Sequence, residues 1–385
     1  MIVSCLNIPL RATCMVVLML LGISAAAQQP TPTPSDRPTL NRHPSGSAPD
    51  SSAAPTPSPS PAKSATPAPG NEAAQPGTLE EPGKLSYPDL IPRFDYSSRV
   101  SLDQRETNVE MRGNVRLIEL NYAGANDERV PAYVLIPHGN GPFPAIIWGH
   151  WLGKGSRLAN KDEFLEEALA LAHSGVLSVL IDAPQARHGF TAEKDLMEAM
   201  KQQSELASHQ VIDLRRAVDL LMVRRDVDRK RIAYVGHSFD AHVGAILAGV
   251  ETRLCCYVLM AGSYSNEEDI FSSKDPKMIS YRKQLGDEAL RNFFHEYAWD
   301  DPAYFLGHTN DESIFLQFAS QDEITKPQAQ HYLDLFSSKD KKMEFYDAPH
   351  ALNAAARLDR DRWLQKHLGL KKLDEKELEA IPQLK

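Results

Sequence analysis

A chain of 385 residues with 42% apolar content has material for one large core or two small ones. Its 51 acidic residues outnumber 42 basic ones, the net charge of −9 is spread along the sequence, and no basic block occurs. Nucleic-acid binding is thereby excluded as a principal task.

The first residues predict an export signal over 1–27. Arg11 gives a weak positive start, CMVVLMLLGI (14–23) is too short to cross a bilayer comfortably, and Ala25-x-Ala27 supplies a small-residue cleavage site. Cleavage makes the protein secreted or periplasmic with no membrane span in the mature form, and retention of the signal anchors it. Cys14 stands ahead of the apolar run, which argues against a lipoprotein. Cys5 and Cys14 leave with the signal, so Cys255 and Cys256 remain, and their apolar setting LCCYVLMAG reads as buried thiols in a strand rather than a disulfide. Residues 28–85 read as a disordered linker. Fourteen of the 27 prolines fall between Pro30 and Pro82, and no aromatic residue follows the signal before Tyr87. Such a segment cannot bury enough apolar surface to offset the entropy of ordering it.

From 86 to 385 the composition is that of a folded domain. NVRLIELNYA and RVPAYVLIPH predict a strand pair, and FPAIIWGHW (143–151) a short buried strand ending in Gly and His. EFLEEALALAHSG predicts a helix stopped at Gly175, and VLSVLIDAP (176–184) a second buried strand. In HQVIDLRRAVDLLMVRR, Val211, Leu214, Val218 and Leu221 share one helical face. RIAYVG, RLCCYVLMAG, SIFLQFAS (313–320) and KMEFYDAP continue the strands, with helices after RIAYVG, at KPQAQHYLDLF and at ALNAAARLDRDRWLQKHL. Apolar strands alternating with helices predict an α/β fold with a mostly parallel sheet covered on both faces, the opening strand pair adding an antiparallel edge. The charged, aromatic-rich stretch 263–311 breaks the alternation and reads as a helical insertion, or cap, over a site.

The sequence AYVGHSFDAHVGA places Gly236, His237, Ser238 and Phe239 in the Gly-x-Ser-x-Gly pattern of a strand-to-helix nucleophile turn, with Asp240 where the second glycine belongs. Small residues at Ala241, Gly244, Ala245 and Ala248 let the following helix lie close to the sheet. A serine needs a base, and the base an orienting acid. Asp322 follows the strand SIFLQFAS, and His350 follows the last strand in DAPHALN. Serine, acid and histidine therefore come in the order this kind of turn requires, each just beyond a strand's carboxyl end, where open parallel sheets place ligands. Glu323 is the rival acid. His237 and His242 read as packing or local hydrogen-bonding residues.

Residues 131–368 resemble the α/β-hydrolase superfamily, nearest its dienelactone hydrolase, acetyl xylan esterase and prolyl oligopeptidase-like branch. PAYVLIP, GPFPAIIWGHW, LIDAP and, most specifically, VDRKRIAYVGHS carry the resemblance. It implies the α/β-hydrolase fold and a triad of Ser238, His350 and Asp322, with serine rather than cysteine pointing to the esterase-like members. Two positions depart from the pattern. A carboxylate at Asp240 is expected to crowd the helix–strand contact or to perturb the charge near His350. GHW replaces the usual His-Gly, so Phe239 supplies one oxyanion N–H and either Leu152 or Trp151 the other. GHWLGKGS has the wrong spacing for a phosphate loop, HEYAW at His295 lacks a zinc helix's second histidine, and no Cys/His spacing suggests a metal. The expectation is an exported serine hydrolase acting on a small-molecule carboxylic ester through an acyl-enzyme, with no cofactor and no metal. A prolyl oligopeptidase-like peptidase and a non-catalytic binding protein that keeps the fold are the alternatives.

Overall fold

The computed structural model describes residues 85–153 and 155–383. The expected signal and almost all of the linker lie outside them. No helix among the described residues is long and apolar enough to cross a membrane.

The strands are β1 (Arg105–Arg112), β2 (Val115–Ala123), β3 (Arg129–Ile136), β4 (Phe143–Gly149), β5 (Leu177–Ile181), β6 (Val227–His237), β7 (Cys256–Met260), β8 (Ser313–Ala319) and β9 (Lys341–Tyr346). They form one sheet in the order β1-β2-β3-β5-β4-β6-β7-β8-β9. β1, β2, β3 and β5 pair antiparallel, and from β5 to β9 every pairing is parallel. The antiparallel edge thus has one strand more than the sequence patterning predicts. β1 is almost wholly exposed and shows no alternation, yet Gly113-Asn114 joins it to β2 as a two-residue hairpin with Gly113 at φ 59°.

The helices are α1 (Tyr87–Leu90), α2 (Leu165–Ala172), α3 (Leu196–Met222), α4 (Phe239–Val250), α5 (Asn266–Ser272), α6 (Pro276–Leu285), α7 (Asp287–Glu296), α8 (Lys326–Leu335), α9 (Ala354–Leu368) and α10 (Glu375–Ala380). Successive strand residues serve opposite layers. On β6, Ile232 and Tyr234 join a core with α3, α4 and α8, while Ala233 and Val235 join one with α2, α9 and α10. Burial on both faces is why these strands read as unbroken apolar runs. The stretch 263–311 is the expected helical insertion. Its α5, α6 and α7 gather Ile270, Met278, Leu290, Phe293 and Phe294 around Met200 of α3 in a separate small cluster. Asp300 ties its end to the body, accepting from Ser204 Oγ of α3 at 2.7 Å, while Asp301 closes the insertion on itself, accepting from Ser265 Oγ at 2.9 Å. Cys255 and Cys256 are free thiols; Cys256 is buried in β7 as expected, whereas Cys255 precedes the strand and is only partly buried.

Candidate active site

Ser238 sits where β6 ends and α4 begins, at φ 57° and ψ −108°. A non-glycine residue held there costs roughly 1–3 kcal/mol and persists only where its surroundings dictate it. They do so here. The Ser238 N–H donates to the Met260 carbonyl at 2.8 Å, and the Ser238 carbonyl accepts from Ala241 and His242. Gly236 is obligatory, because a Cβ there would come within 2.2 Å of the Asp240 carbonyl oxygen.

The turn aims Ser238 at the loops beyond β8 and β9. Ser238 Oγ lies 2.7 Å from His350 Nε2, and His350 Nδ1 lies 2.9 Å from Asp322 Oδ2. Because an ionised carboxylate only accepts, Nδ1 carries the hydrogen, and Nε2 is left to accept from the serine. Three side chains spread over 112 residues of sequence converge by this route. Glu323 does not join them: its Oε2 accepts from Ser273 Oγ of the insertion at 2.8 Å.

The segment after β4 forms the opposing wall. His150 is buried and bonded at both ring nitrogens. Nε2 accepts the Ala183 N–H at 2.9 Å, and Nδ1, 2.7 Å from the Trp151 carbonyl, donates to it. Burial lowers its pKa and favours this neutral form. Of the two N–H groups the sequence leaves open for the second oxyanion donor, that of Trp151 is taken, donating to Glu163 Oε2 at 2.6 Å. Trp151 is therefore corrected as an oxyanion donor. The N–H groups of Leu152 and Phe239 have no partner among the described residues, Phe239 because the first helical N–H groups never have an intrahelical one.

Asp240 occupies a place the sequence does not foretell. It is wholly buried and reaches neither water nor His350. Its carboxyl lies against Gly149, where a Cβ would meet it at 2.6 Å, and its Oδ1 accepts from Gln210 Nε2 at 2.8 Å. Burial pushes its pKa up to about 8. With its pKa so raised, the uncharged form is favoured at neutral pH, and much of the gain of an anion at a helix start is forfeited.

The bonds of His242 and His237 are not local, as the sequence reading had them: His242 Nε2 lies 2.9 Å from the carbonyl of Asp300, 58 residues on, and His237 pairs with Glu163, 74 residues before it. Two residues escape the sequence reading. Gln210 is a polar residue on the same face of α3 as Leu214, Ala217 and Leu221, a placement that in itself signals a buried partner. Glu163 precedes α2 in a charged run, NKDEF, where nothing distinguishes it from a solvated acid. No group of metal-ligating side chains occurs among the described residues.

No protein-family model and no curated protein matches the chain. Solved structures do. The acetyl xylan esterase from Paenibacillus sp. R4 is similar over 76% of this chain and 97% of its own, at 15% identity and a TM-score of 0.58. Acetyl xylan esterase 1 from Thermoanaerobacterium sp. JW/SL YS485 covers 72% of this chain and 93% of its own at 16% identity, also with a TM-score of 0.58. The glucuronoyl esterase from Solibacter usitatus covers 76% and 91% at 9% identity, with a TM-score of 0.50. At these identities the likeness is one of fold.

Proposed function

We propose that this chain, a member of the α/β-hydrolase superfamily by fold, is an exported serine hydrolase that cleaves a small carboxylic ester through an acyl-enzyme. The reading rests chiefly on the Ser238–His350–Asp322 relay, with contacts of 2.7 and 2.9 Å. In the proposed reaction Ser238 Oγ attacks the ester carbonyl while His350 Nε2 takes its proton. Asp322 holds the Nδ1–H tautomer and stabilises the imidazolium that forms. Negative charge gathering on the carbonyl oxygen is received by the N–H groups of Phe239 and Leu152, a contribution of about 3 kcal/mol per donor. His350 returns the proton to the departing alkoxide, which leaves as the alcohol. Water then attacks the acyl-serine by the same steps in reverse, releasing the acid and restoring Ser238. No cofactor is needed. The insertion 263–311 is proposed to shape the pocket, and export is proposed from the signal expected over 1–27. That the similar folds include acetyl xylan esterases and a glucuronoyl esterase agrees with an ester as substrate.

The test is labelling with a fluorophosphonate beside turnover of p-nitrophenyl esters of graded acyl length. Wild type should label and turn over, and Ser238→Ala should do neither. Equal turnover by both proteins overturns the proposal.

A further inference from the structure

Beside the relay lies a second buried acid–imidazole pair that the proposed reaction does not use. Glu163 Oε1 and His237 Nδ1 are 2.5 Å apart, and both side chains are 0% exposed. The outer atoms of the pair reach the two walls of the site. Glu163 Oε2 accepts the N–H of Trp151 at 2.6 Å, one residue before Leu152, and His237 Nε2 lies 3.0 Å from the backbone carbonyl of His350. His237 is itself the residue before Ser238. We propose that Glu163 and His237 are positioning residues, a strut that fixes the loop of the oxyanion donor against the loop of the base. This inference rests on the serine-hydrolase reading above.

The hydrogen-bond logic leaves little freedom. A carbonyl oxygen only accepts, so His237 Nε2 must carry a hydrogen toward His350. Nδ1 and Glu163 Oε1 then hold one proton between them, either as imidazolium and carboxylate or as imidazole and carboxylic acid. Both forms have zero net charge, which spares the pair the cost of an isolated buried ion. The rings add a second constraint. Trp151 stacks on His237 at 5.4 Å with 6° between planes, and His237 on His350 at 5.5 Å with 30°. Neither Glu163 nor His237 bonds to Ser238 Oγ or to the imidazole nitrogens of His350. Their influence must pass through placement, and misplacing reacting groups by about 1 Å costs on the order of 10²-fold in rate.

Three variants test this on p-nitrophenyl acetate, with kcat and KM measured separately and folding followed by circular dichroism. Glu163→Ala and His237→Phe, the latter keeping an aromatic ring beside Trp151, should each lower kcat by roughly 10- to 100-fold with little change in KM. Glu163→Gln can still accept the Trp151 N–H through its carbonyl and donate to His237 Nδ1 through its amide. It should restore kcat to within about threefold of wild type. Proton NMR gives a readout independent of turnover: a far-downfield imidazole proton present in wild type and absent from Glu163→Ala. Wild type lacking Ser238-dependent turnover while keeping that proton would sink the functional reading and leave the strut standing. The strut itself is overturned by unchanged kcat in both disruptive variants, by Glu163→Gln as slow as Glu163→Ala, by absence of the downfield proton, or by disruptive variants that fail to fold, which would make the pair a stability element.

Discussion

Glu323 accepts a hydrogen bond from Ser273 Oγ at 2.8 Å, which commits its carboxylate to the insertion, while the neighbouring Asp322 faces His350 Nδ1 at 2.9 Å. Two adjacent acids thus have separate duties. Asp322→Asn should lower kcat by on the order of 10⁴-fold, because an amide donating to Nδ1 holds His350 in the tautomer that cannot accept from serine. Glu323→Gln keeps an acceptor for Ser273 and should leave kcat near wild type. Steady-state kinetics on one activated ester decides it; a dead Glu323 variant beside an active Asp322 variant would reverse the assignment.

A second expectation concerns the start of the folded body. Tyr87 donates to the Gly249 carbonyl at 2.6 Å, and Phe94 is fully buried with its ring 5.5 Å from that of Phe305. A chain begun at Ser86 should keep its kcat/KM on a small ester, since 28–85 has no aromatic residue to contribute to a core and Leu85, its one described residue, is only partly buried against it. Phe94→Ala should instead cost about 3–5 kcal/mol of stability. Denaturant unfolding of both proteins, alongside the ester assay, checks the pair. A large loss of activity in the shortened chain would mean that the linker packs on the domain.

How much of this was legible in the sequence follows from the range of each interaction. The parallel strands could be read because burial on both faces writes itself locally as an apolar run. Ser238 and Asp322 could be picked out because each stands just past such a run, and His350 because it follows the last strand, the half-exposed β9. β1 escaped, since its residues face solvent and only the two-residue turn at Gly113-Asn114 marks it. Glu163 escaped because its meaning lies wholly in a partner 74 residues away. Trp151 and Leu152 could not be separated, because which backbone N–H is free depends on that same unforeseen acid.

Asp240 should also leave a mark on stability against pH. Burial lifts its pKa from the ordinary 3.8 to about 8. Between those values the folded chain binds a proton that the unfolded chain has lost, so stability declines as pH rises through the window and levels off above it. The contribution is fully present only below the unfolded value. Asp240 Oδ2 and Gln210 Oε1 are both buried without a partner, and a carboxylic-acid hydrogen on the former is what could satisfy the latter. Asp240→Asn reproduces that donor without a titrating group. Its melting temperature should fall less than that of wild type between about pH 5 and 9, the two curves separating on the alkaline side. Parallel curves would refute a buried, protonated Asp240.

Replacing the same residue by glycine separates folding from catalysis. Asp240→Gly restores the usual nucleophile-turn pattern but strips Gln210, itself wholly buried, of its side-chain partner. Leaving that amide unsatisfied should cost about 1–3 kcal/mol, seen as a lower denaturation midpoint. Catalysis should survive, because the bonds among Ser238, His350 and Asp322 involve no atom of the Asp240 side chain. Nor should the acid limb of the kcat/KM profile move. An acid that stays uncharged below about pH 8 brings no negative charge to His350 in that range, so its removal takes none away. The comparison is wild type against Asp240→Gly on one activated ester, with rates followed across the acid limb and unfolding measured in parallel. A shifted limb would mean that the Asp240 carboxylate is ionised within reach of the base. Turnover that depends on Ser238 in the glycine variant and is absent from wild type would be more damaging. Asp240 would then be a disabling substitution, and the chain a hydrolase fold kept for binding alone.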